Sequence, residues 1–432
     1  MSYIPNNQQT ISNPPSKQLV DSSKLVEQQF RSKLYWQDAQ NLNSEAPPSN
    51  AHDLICLSHL RWDFVYQRPQ HLLSRCAKGR RVFVMEEPMF TAEQDAWLSI
   101  SRRECGVWVV VPHLPEGLDE EAAIATQRKL LDELIEGCDI QNYILWYYTA
   151  MAMPFSKHLT PELVVYDCMD ELSAFKGAPP ILREREAELF QWSDLVFTGG
   201  QSLYEAKQHQ HPHVHAFPSS IEVEHFGQAR QMAIDPADQR DIPHPRLGFY
   251  GVIDERMDLE LLGGVAEARP DWQLVIIGPV AKIDPENLPR HANIHYLGSK
   301  SYTELPDYLS GWDVALLPFA RNESTRFISP TKTPEYLAAG KPVVSTSIRD
   351  VVRPYGEQRL VHIADSIEKF VKAAEVAMQQ PQSDPTWLQQ VDAFLSQNSW
   401  NLTWERMNHL IETAIEQKQA TATESVKSAS TN

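Results

Sequence analysis

The chain has 432 residues, of which 42% are hydrophobic and 22% are charged, so it is large enough for two or three domains with buried cores. Asp and Glu (57) outnumber Lys and Arg (39), which gives a formal net charge of −18. Such an acidic chain is a poor general binder of nucleic acid or anionic lipid, because both need a basic face. No run approaches the ~18 apolar residues of a membrane span, no signal peptide opens the chain, and its five cysteines contain no C-x-x-C pair. We therefore expect a soluble protein of the reducing cytoplasm.

The two ends of the chain are polar. Residues 1–48 are rich in Asn, Gln, Ser and Pro and carry four basic and four acidic residues, and residues 415–432 carry two of each. Segments of this composition do not bury enough apolar surface to order themselves. We predict a disordered tail at each end, and we assign the whole net charge to the folded middle.

Residues 49–226 alternate short apolar runs with amphipathic stretches, which is typical of a parallel α/β sheet. Helices are predicted at 120–136 and 181–192. The predicted strands are 54–57, 82–85, 107–111, 143–148, 163–166 and 195–197. We interpret this part of the chain as a first doubly wound domain.

A polar stretch rich in proline, 227–245, follows and is the best linker candidate. The pattern of alternating strands and helices then resumes over 246–397, which we interpret as a second doubly wound domain. A final helix is predicted over 398–414. The strands predicted for the second domain are 247–250, 274–277, 294–296, 314–317 and 343–345.

The most informative segment is 328–346, ISPTKTPEYLAAGKPVVST. We predict a short helix over 335–339, with Thr333 as its N-cap and Pro334 at its first position. A helix amino terminus attracts phosphate, Lys332 adds a positive charge beside it, and Glu335 is placed to accept hydrogen bonds from ribose hydroxyls. The sequence thus suggests a nucleotide site. The alternative is an ordinary helix start with the lysine in solvent.

This segment resembles the donor motif of GT-B glycosyltransferases of the group that resembles glycosyltransferase family 4. It has the run Ser-Pro-x-Lys-x-x-Glu-Tyr-x-Ala-x-Gly-Lys-Pro-Val-Val, from Ser329 to Val344. The resemblance implies two Rossmann-like domains facing across a cleft, with the acceptor bound by the first and a nucleotide sugar by the second. It implies that Glu335 binds the ribose and that Lys332 lies near the donor diphosphate. Ser329, Pro330 and Thr331 form the loop that leads to Lys332 and also belong to the implied donor site. Phe327 departs from the family, which has a glutamate at that position.

Two further segments of the second domain resemble donor-side motifs of the same family. Gly251 follows the first strand, and Arg256 stands five positions later as a candidate for the diphosphate oxygens. The alternative for Arg256 is an ion pair with Asp254 or Asp258. Gly298 lies in the turn that the resemblance assigns to backbone contacts with the base.

The first domain carries fewer signals. Arg68 and His71 lie in an Arg-Pro-Gln-His run similar to one in surface-polysaccharide enzymes, and we place both on the acceptor side, although His71 equally suits a packed helix. Asp167 and Asp170 end a predicted strand, where catalytic groups of α/β folds often lie. Asp167 replaces a histidine that contacts the donor sugar in the family. Either carboxylate is a candidate to orient the sugar or to take the acceptor proton, and Asp170 alternatively caps the next helix.

These features predict a glycosyltransferase that moves a sugar from a nucleoside diphosphate to a glycan or a lipid-linked acceptor. The resemblance implies retention of configuration, no metal and no cofactor beyond the donor. A nucleotide-sugar 2-epimerase of GT-B fold and a non-catalytic GT-B scaffold remain alternatives. A dinucleotide oxidoreductase is disfavoured, because neither domain's first strand is followed by G-x-G-x-x-G. The sequence does not determine the base, the sugar, the acceptor or the oligomeric state. It also leaves open a transient contact with a membrane.

Overall fold

The computed structural model describes residues 34–36, 52–231 and 235–429. Its strands are mostly short and buried, as expected where helices cover both faces of a parallel sheet. The strands are β1 (Leu34–Trp36), β2 (Asp53–Leu57), β3 (Val82–Met85), β4 (Met89–Thr91), β5 (Trp97–Arg102), β6 (Trp108–Pro115), β7 (Tyr143–Tyr147), β8 (Leu163–Cys168), β9 (Leu195–Thr198), β10 (Val214–Ala216), β11 (Arg246–Tyr250), β12 (Gln273–Ile277), β13 (Ile294–Tyr296), β14 (Val314–Leu317), β15 (Val343–Ser345) and β16 (His362–Ile363).

The helices alternate with these strands along the chain. They are α1 (Arg68–Cys76), α2 (Glu120–Gly137), α3 (Met153–Ser156), α4 (Leu182–Trp192), α5 (Gln201–Lys207), α6 (Val223–Gly227), α7 (Leu259–Ala268), α8 (Leu305–Ser310), α9 (Lys332–Ala338), α10 (Arg349–Val351), α11 (Ile367–Ser383), α12 (Trp387–Leu395) and α13 (Trp400–Ala429). None of the helices in the described ranges has the length and apolar character needed to cross a lipid bilayer.

The chain divides into two units that are discontinuous in sequence. The first contains Met1–Phe64, Leu73–Val165 and Glu184–Ser193, and the second contains Val65–Leu72, Tyr166–Arg183 and Asp194–Asn432. The domains predicted from the sequence, 49–226 and 246–397, are continuous stretches, and their boundaries stay predictions. Every residue singled out above for chemistry belongs to the second unit.

The first unit has a sheet in the order β1-β5-β6-β3-β2-β7. Strand β2 lies between β3 and β7, and it is parallel to both. All five residues of β2 are buried, which explains the apolar run that follows Asp53. Strand β5 is antiparallel to β6, so the sheet is mixed at this edge.

The second unit has a fully parallel sheet in the order β13-β12-β11-β14-β15-β16. The chain runs from β11 outward to β13 and then returns to the other side of β11 to form β14. This is the doubly wound order, in which ligands bind at the carboxyl ends of the strands where the order reverses. In this unit that point lies between β11 and β14.

All eleven strands predicted from the sequence are present, with ends that differ by at most four residues. Two predictions of disorder are wrong in part. Strand β1 lies within the predicted amino-terminal tail and pairs with β5; the rest of that tail lies outside the described residues. Helix α13 continues through the predicted carboxy-terminal tail to residue 429. Met407, Ile411 and Ile415 anchor this helix at four-residue spacing, and the Ala, Glu, Gln and Lys beyond them favour its continuation.

The predicted linker is held against the second unit where the structure describes it. The Asp235 carboxylate accepts a hydrogen bond from Arg246 Nη1 at 2.6 Å, and Gln239 Oε1 accepts one from Trp312 Nε1 at 2.9 Å. Gln239 is fully buried. Residues 235–245 are therefore part of the packed structure of this unit.

Candidate active site

Glycine turns follow β11, β12 and β13, three neighbouring strands on one side of the point where the sheet order reverses. Gly251 and Gly278 have φ values of +139° and +137°, which strongly favour glycine, and a Cβ on Gly278 would overlap the carbonyl oxygen of Gly251. Gly278 N donates to Gly298 O at 2.8 Å, so the third turn joins the first two. The structure thus brings together two of the glycines predicted to bind the donor, Gly251 and Gly298, through Gly278.

Helix α9 begins at Lys332, earlier than predicted. Thr331 already has helical angles and occupies the N-cap position, whereas the sequence suggested Thr333. The cause lies in the preceding proline, because Thr333 N donates to Pro330 O at 3.2 Å and closes a turn that starts before Lys332. Pro334 fits inside the first helical turn, where a missing N–H costs nothing.

The loop before α9 is fixed by a neighbouring turn. Ser219 N donates to Ser329 Oγ at 3.3 Å, and Ser219 Oγ donates to Ser329 O at 2.5 Å. Ser329, Pro330 and Thr331 are each partly exposed. The loop that the sequence assigns to the donor is therefore anchored on one side and accessible on another.

The side chain of Lys332 lies across Gly251. A Cβ at Gly251 would overlap Lys332 Cε and would come within 2.8 Å of Nζ. Burial lowers the pKa of Lys332, as does Arg256, while Glu335 acts in the opposite direction. Lys332 is partly exposed, and an ammonium group that is partly removed from water gains more from an added anion than a fully solvated one would.

Glu335 is buried one turn further along α9. Its Oε2 accepts a hydrogen bond from Tyr250 Oη at 2.5 Å, and only 5% of its surface is exposed. Burial raises the pKa of Glu335 to about 7, although the bond from Tyr250 and the charge of Lys332 oppose the shift. The carboxyl group can therefore change protonation near neutral pH.

Arg256 is held in place by the buried Asp254. Arg256 Nε and Nη2 donate to the two carboxylate oxygens of Asp254 at 3.0 and 2.7 Å, the ion pair that the sequence offered as an alternative. Its guanidinium group also lies 5.5 Å from the ring centroid of Phe175, and Lys282 Nζ lies 5.1 Å from the same ring. Burial raises the pKa of Asp170 to about 6, with Arg256 foremost among the cations that oppose the shift. Asp170 does not cap the short helical turn that follows, because Glu171 is its N-cap residue.

Arg68 and Asp167 are not available to a substrate in this arrangement. Arg68 Nε and Nη2 donate to Asp167 at 3.0 and 2.8 Å, and Arg68 Nη1 donates to Phe217 O at 2.7 Å. Asp167 is fully buried and Arg68 is 3% exposed. The two side chains form a buried ion pair with each other, and the predicted acceptor-side role of Arg68 and catalytic role of Asp167 stay predictions.

His71 is also buried in the packing of the second unit. Its ring stacks on Trp400 with centroids 4.5 Å apart and an interplanar angle of 8°. Only 1% of its surface is exposed. The structure thus favours the packed-helix alternative over a role on the acceptor side.

Sequence reasoning missed Tyr250, which holds Glu335. Tyr250 directly precedes the glycine of the first turn, but nothing in the sequence indicates that its hydroxyl reaches a residue 85 positions away. In the described parts of the chain, no group of three or more His, Cys, Asp and Glu side chains is arranged to hold a metal ion. Among the described residues, Lys332 acts on Glu335, and Arg256, Arg68 and Lys282 act on Asp170.

Comparisons with known proteins agree with this geometry. Residues 245–380 match the family model described as "Glycosyl transferases group 1". A curated relative, the "Putative teichuronic acid biosynthesis glycosyltransferase TuaH" of Bacillus subtilis (strain 168), is 26% identical over 302 residues, which cover 64% of this chain and 74% of the relative.

Solved structures share the fold at low sequence identity. The sucrose-phosphate synthase of Thermosynechococcus elongatus has a TM-score of 0.63 and 14% identity, with coverage of 85% of this chain and 100% of its own. Anabaena Alr3699/HepE in complex with UDP has a TM-score of 0.59 and 12% identity, with coverage of 84% of this chain and 100% of its own. The fold that they share with this chain is the GT-B fold. Residues 245–380 thus match a group 1 glycosyl transferase domain, and the chain shares the GT-B fold of the solved structures.

Proposed function

We propose that the protein transfers a hexosyl group from a nucleoside diphosphate sugar to a hydroxyl group of a glycan or lipid-linked acceptor. The observation that carries this proposal is the convergence of Lys332, Glu335 and Gly251 where the sheet order reverses between β11 and β14. One glycosyltransferase relative is named for teichuronic acid biosynthesis, which favours a surface polysaccharide as the acceptor. The cytoplasmic location stays a prediction from the sequence.

Each part of the donor has a matching group in this site. Glu335 accepts hydrogen bonds from the ribose hydroxyls, and Lys332 and Arg256 face the diphosphate. The backbones of Gly251 and Gly298 allow the nucleotide a close approach. Ser329, Pro330 and Thr331 form the partly exposed loop beside it.

The reaction breaks the bond between the sugar and the diphosphate, so negative charge develops on the leaving group. Fixed cations that face this charge stabilise the transition state more than the ground state. Lys332 and Arg256 supply two positive charges, which supports a mechanism without a metal ion. Asp170, with a pKa raised by burial to about 6, is placed to orient the sugar or to take the acceptor proton. Retention of configuration is the outcome that the family resemblance favours.

The donor is identified by a thermal-shift screen against UDP, GDP, ADP and their sugars. We expect stabilisation by one base series above the others, with UDP first, because HepE was solved with UDP. A donor that stabilises the protein is then incubated with and without candidate acceptor glycans. Epimer formed from the donor alone would contradict transfer, and tight nucleotide binding without any sugar release would point to a scaffold.

Lys332→Ala tests the site itself. A charge-assisted hydrogen bond contributes ~1.5–3 kcal/mol, so we expect turnover to fall roughly 10- to 150-fold. The matched control is Lys341→Ala, which removes a lysine whose Nζ donates to Ser310 O and Trp312 O before strand β14. That variant is expected to lose thermal stability but to keep its turnover per folded molecule. Wild-type turnover in Lys332→Ala would refute the assignment.

A further inference from the structure

Tyr250 occupies the last position of strand β11, immediately before the glycine turn. Its hydroxyl group donates to Glu335 Oε2 at 2.5 Å, and its backbone N–H donates to Tyr336 Oη at 3.0 Å. It is 5% exposed, and Tyr336 is fully buried. The tyrosine thus links the first strand of the sheet to helix α9 at two points.

The ring of Tyr250 has little freedom to move. It packs edge-on against Tyr336 with centroids 4.9 Å apart, and Trp312 and Phe226 lie 6.1 and 6.5 Å away. A ring enclosed on several sides holds its hydroxyl group at a fixed position. That fixed donor determines where one oxygen of Glu335 lies.

The second oxygen of Glu335 has a different environment. Among the described residues, the hydrogen bond to the Glu335 side chain is the one that Tyr250 donates to Oε2, and none is made to Oε1. We propose that Tyr250 is a positioning residue that turns Glu335 so that Oε1 faces the ribose hydroxyls of the donor. This inference rests on the function proposed above and adds to it the residue that orients the ribose-binding carboxylate.

The charge of Glu335 responds to groups on several elements. Lys332 on the same helix favours the ionised form, and Glu222, which precedes α6, disfavours it. Tyr302 and Tyr336 also face Glu335 and are neutral, because burial raises the pKa of each. Only the hydroxyl of Tyr250 donates a hydrogen bond to the carboxylate among the described groups. This hydrogen bond lowers the pKa of Glu335, whereas burial raises it. Removal of the Tyr250 hydroxyl should therefore raise the pKa of Glu335 further.

Tyr250→Phe removes the hydroxyl group and keeps the ring. We expect KM for the donor to rise about tenfold with kcat within about twofold, because the ribose contact is shared by ground state and transition state. The pH at which donor binding reaches half its maximum should also move upward. The matched control is Tyr308→Phe, since Tyr308 is buried and its hydroxyl donates to Asp238 at 2.7 Å away from Glu335.

A second measurement needs no donor. In protein labelled with ¹³C at the glutamate carboxyl, the Glu335 signal is identified by its loss in Glu335→Gln. Its titration midpoint should rise in Tyr250→Phe and stay unchanged in Tyr308→Phe. An unchanged midpoint in Tyr250→Phe, or an equal rise of KM in both variants, would overturn the inference. If the midpoint moves but the wild type binds no nucleoside diphosphate, the tyrosine's hold on Glu335 stands and the proposed donor site is refuted.

Discussion

The buried carboxyl group of Glu335 makes the fold less stable when it is ionised. Its pKa is about 7 in the folded protein and near 4.5 in the unfolded chain, so its favourable contribution is complete below pH 4.5. That contribution is lost as the pH rises through about 7, because the folded state then has to bury a charge. At pH 8 the penalty is on the order of 3 kcal/mol.

Glu335→Gln should therefore stabilise the protein while abolishing tight donor binding. The amide oxygen of glutamine can still accept the hydrogen bond from Tyr250, so the gain in unfolding free energy should appear at pH 8 and vanish near pH 4.5. Urea unfolding at both pH values measures it. The exposed Glu267→Gln on α7 serves as the control and should change nothing. A variant less stable than wild type at pH 8 would contradict the expected cost.

Individual site residues differ in how far the sequence predicts them. Lys332 and Glu335 lie three positions apart on one short helix, so their proximity follows from local geometry. The pairing of Arg68 with Asp167 joins residues 99 positions apart, and local patterns carry no record of it. For this reason the sequence suggests Asp167 as a catalytic group, whereas in the structure its carboxylate is paired with Arg68.

At the scale of single elements, helix α5 depends on a side chain that is distant in sequence. The Asp350 carboxylate accepts from Ser202 N at 3.0 Å and supplies the cap that Gly200, at the N-cap position, lacks. A Cβ on Gly200 would overlap Asp350 Oδ2. Burial raises the pKa of Asp350, so the cap is a shielded contact.

Asp350→Ala should lower the unfolding free energy by ~1–2 kcal/mol, because it leaves buried N–H groups without an acceptor. Asp350→Asn keeps an acceptor oxygen and should recover most of the loss. Denaturant unfolding of the two variants against wild type measures the difference. Equal stability of Asp350→Ala and wild type would show that the carboxylate does not cap the helix.

The predicted strands of both halves were confirmed, in most cases because short runs of consecutive apolar residues form a strong signal. Five strands were missed. Strands β1, β4, β10 and β16 are only two or three residues long. Strand β5 has six residues, but its sequence WLSISR alternates buried and partly exposed positions over most of its length and contains no apolar run. Helix α9 begins earlier than predicted because the carbonyl oxygen of Pro330 accepts a hydrogen bond from Thr333 N. The preference of Thr333 for an N-cap position does not reveal this backbone hydrogen bond.

At the scale of the whole molecule, the sequence predicts the two sheets but not which segments belong to each unit. Residues 65–72 and 166–183 lie within the predicted first domain, yet their contacts place them in the second unit. Arg68 with Asp167 and His71 with Trp400 are examples of these contacts. Such assignments depend on packing between distant segments, which periodicity does not encode.

The last turns of helix α13 are expected to be dispensable. Met407, Ile411 and Ile415 are buried, whereas residues 416–424 are all exposed. Deletion of 419–432 should leave the melting temperature within about 2 °C of wild type and the turnover unchanged. Deletion from Met407 onward removes the buried anchors and should destabilise the protein strongly. Differential scanning calorimetry compares the two, and a large loss in the shorter deletion would contradict the expectation.

The close approach of Gly251 and Lys332 makes these two positions epistatic. A side chain at position 251 would displace the side chain of Lys332. A substitution of Gly251 is therefore more destabilising when Lys332 is present than when a shorter residue occupies position 332. Shortening residue 332 relieves only the steric part of the penalty, because the φ of +139° at Gly251 still disfavours any other residue. We therefore expect substitutions at these two positions to accumulate in a fixed order during evolution. Lys332 is replaced by a shorter residue first, and only then is a substitution of Gly251 tolerated.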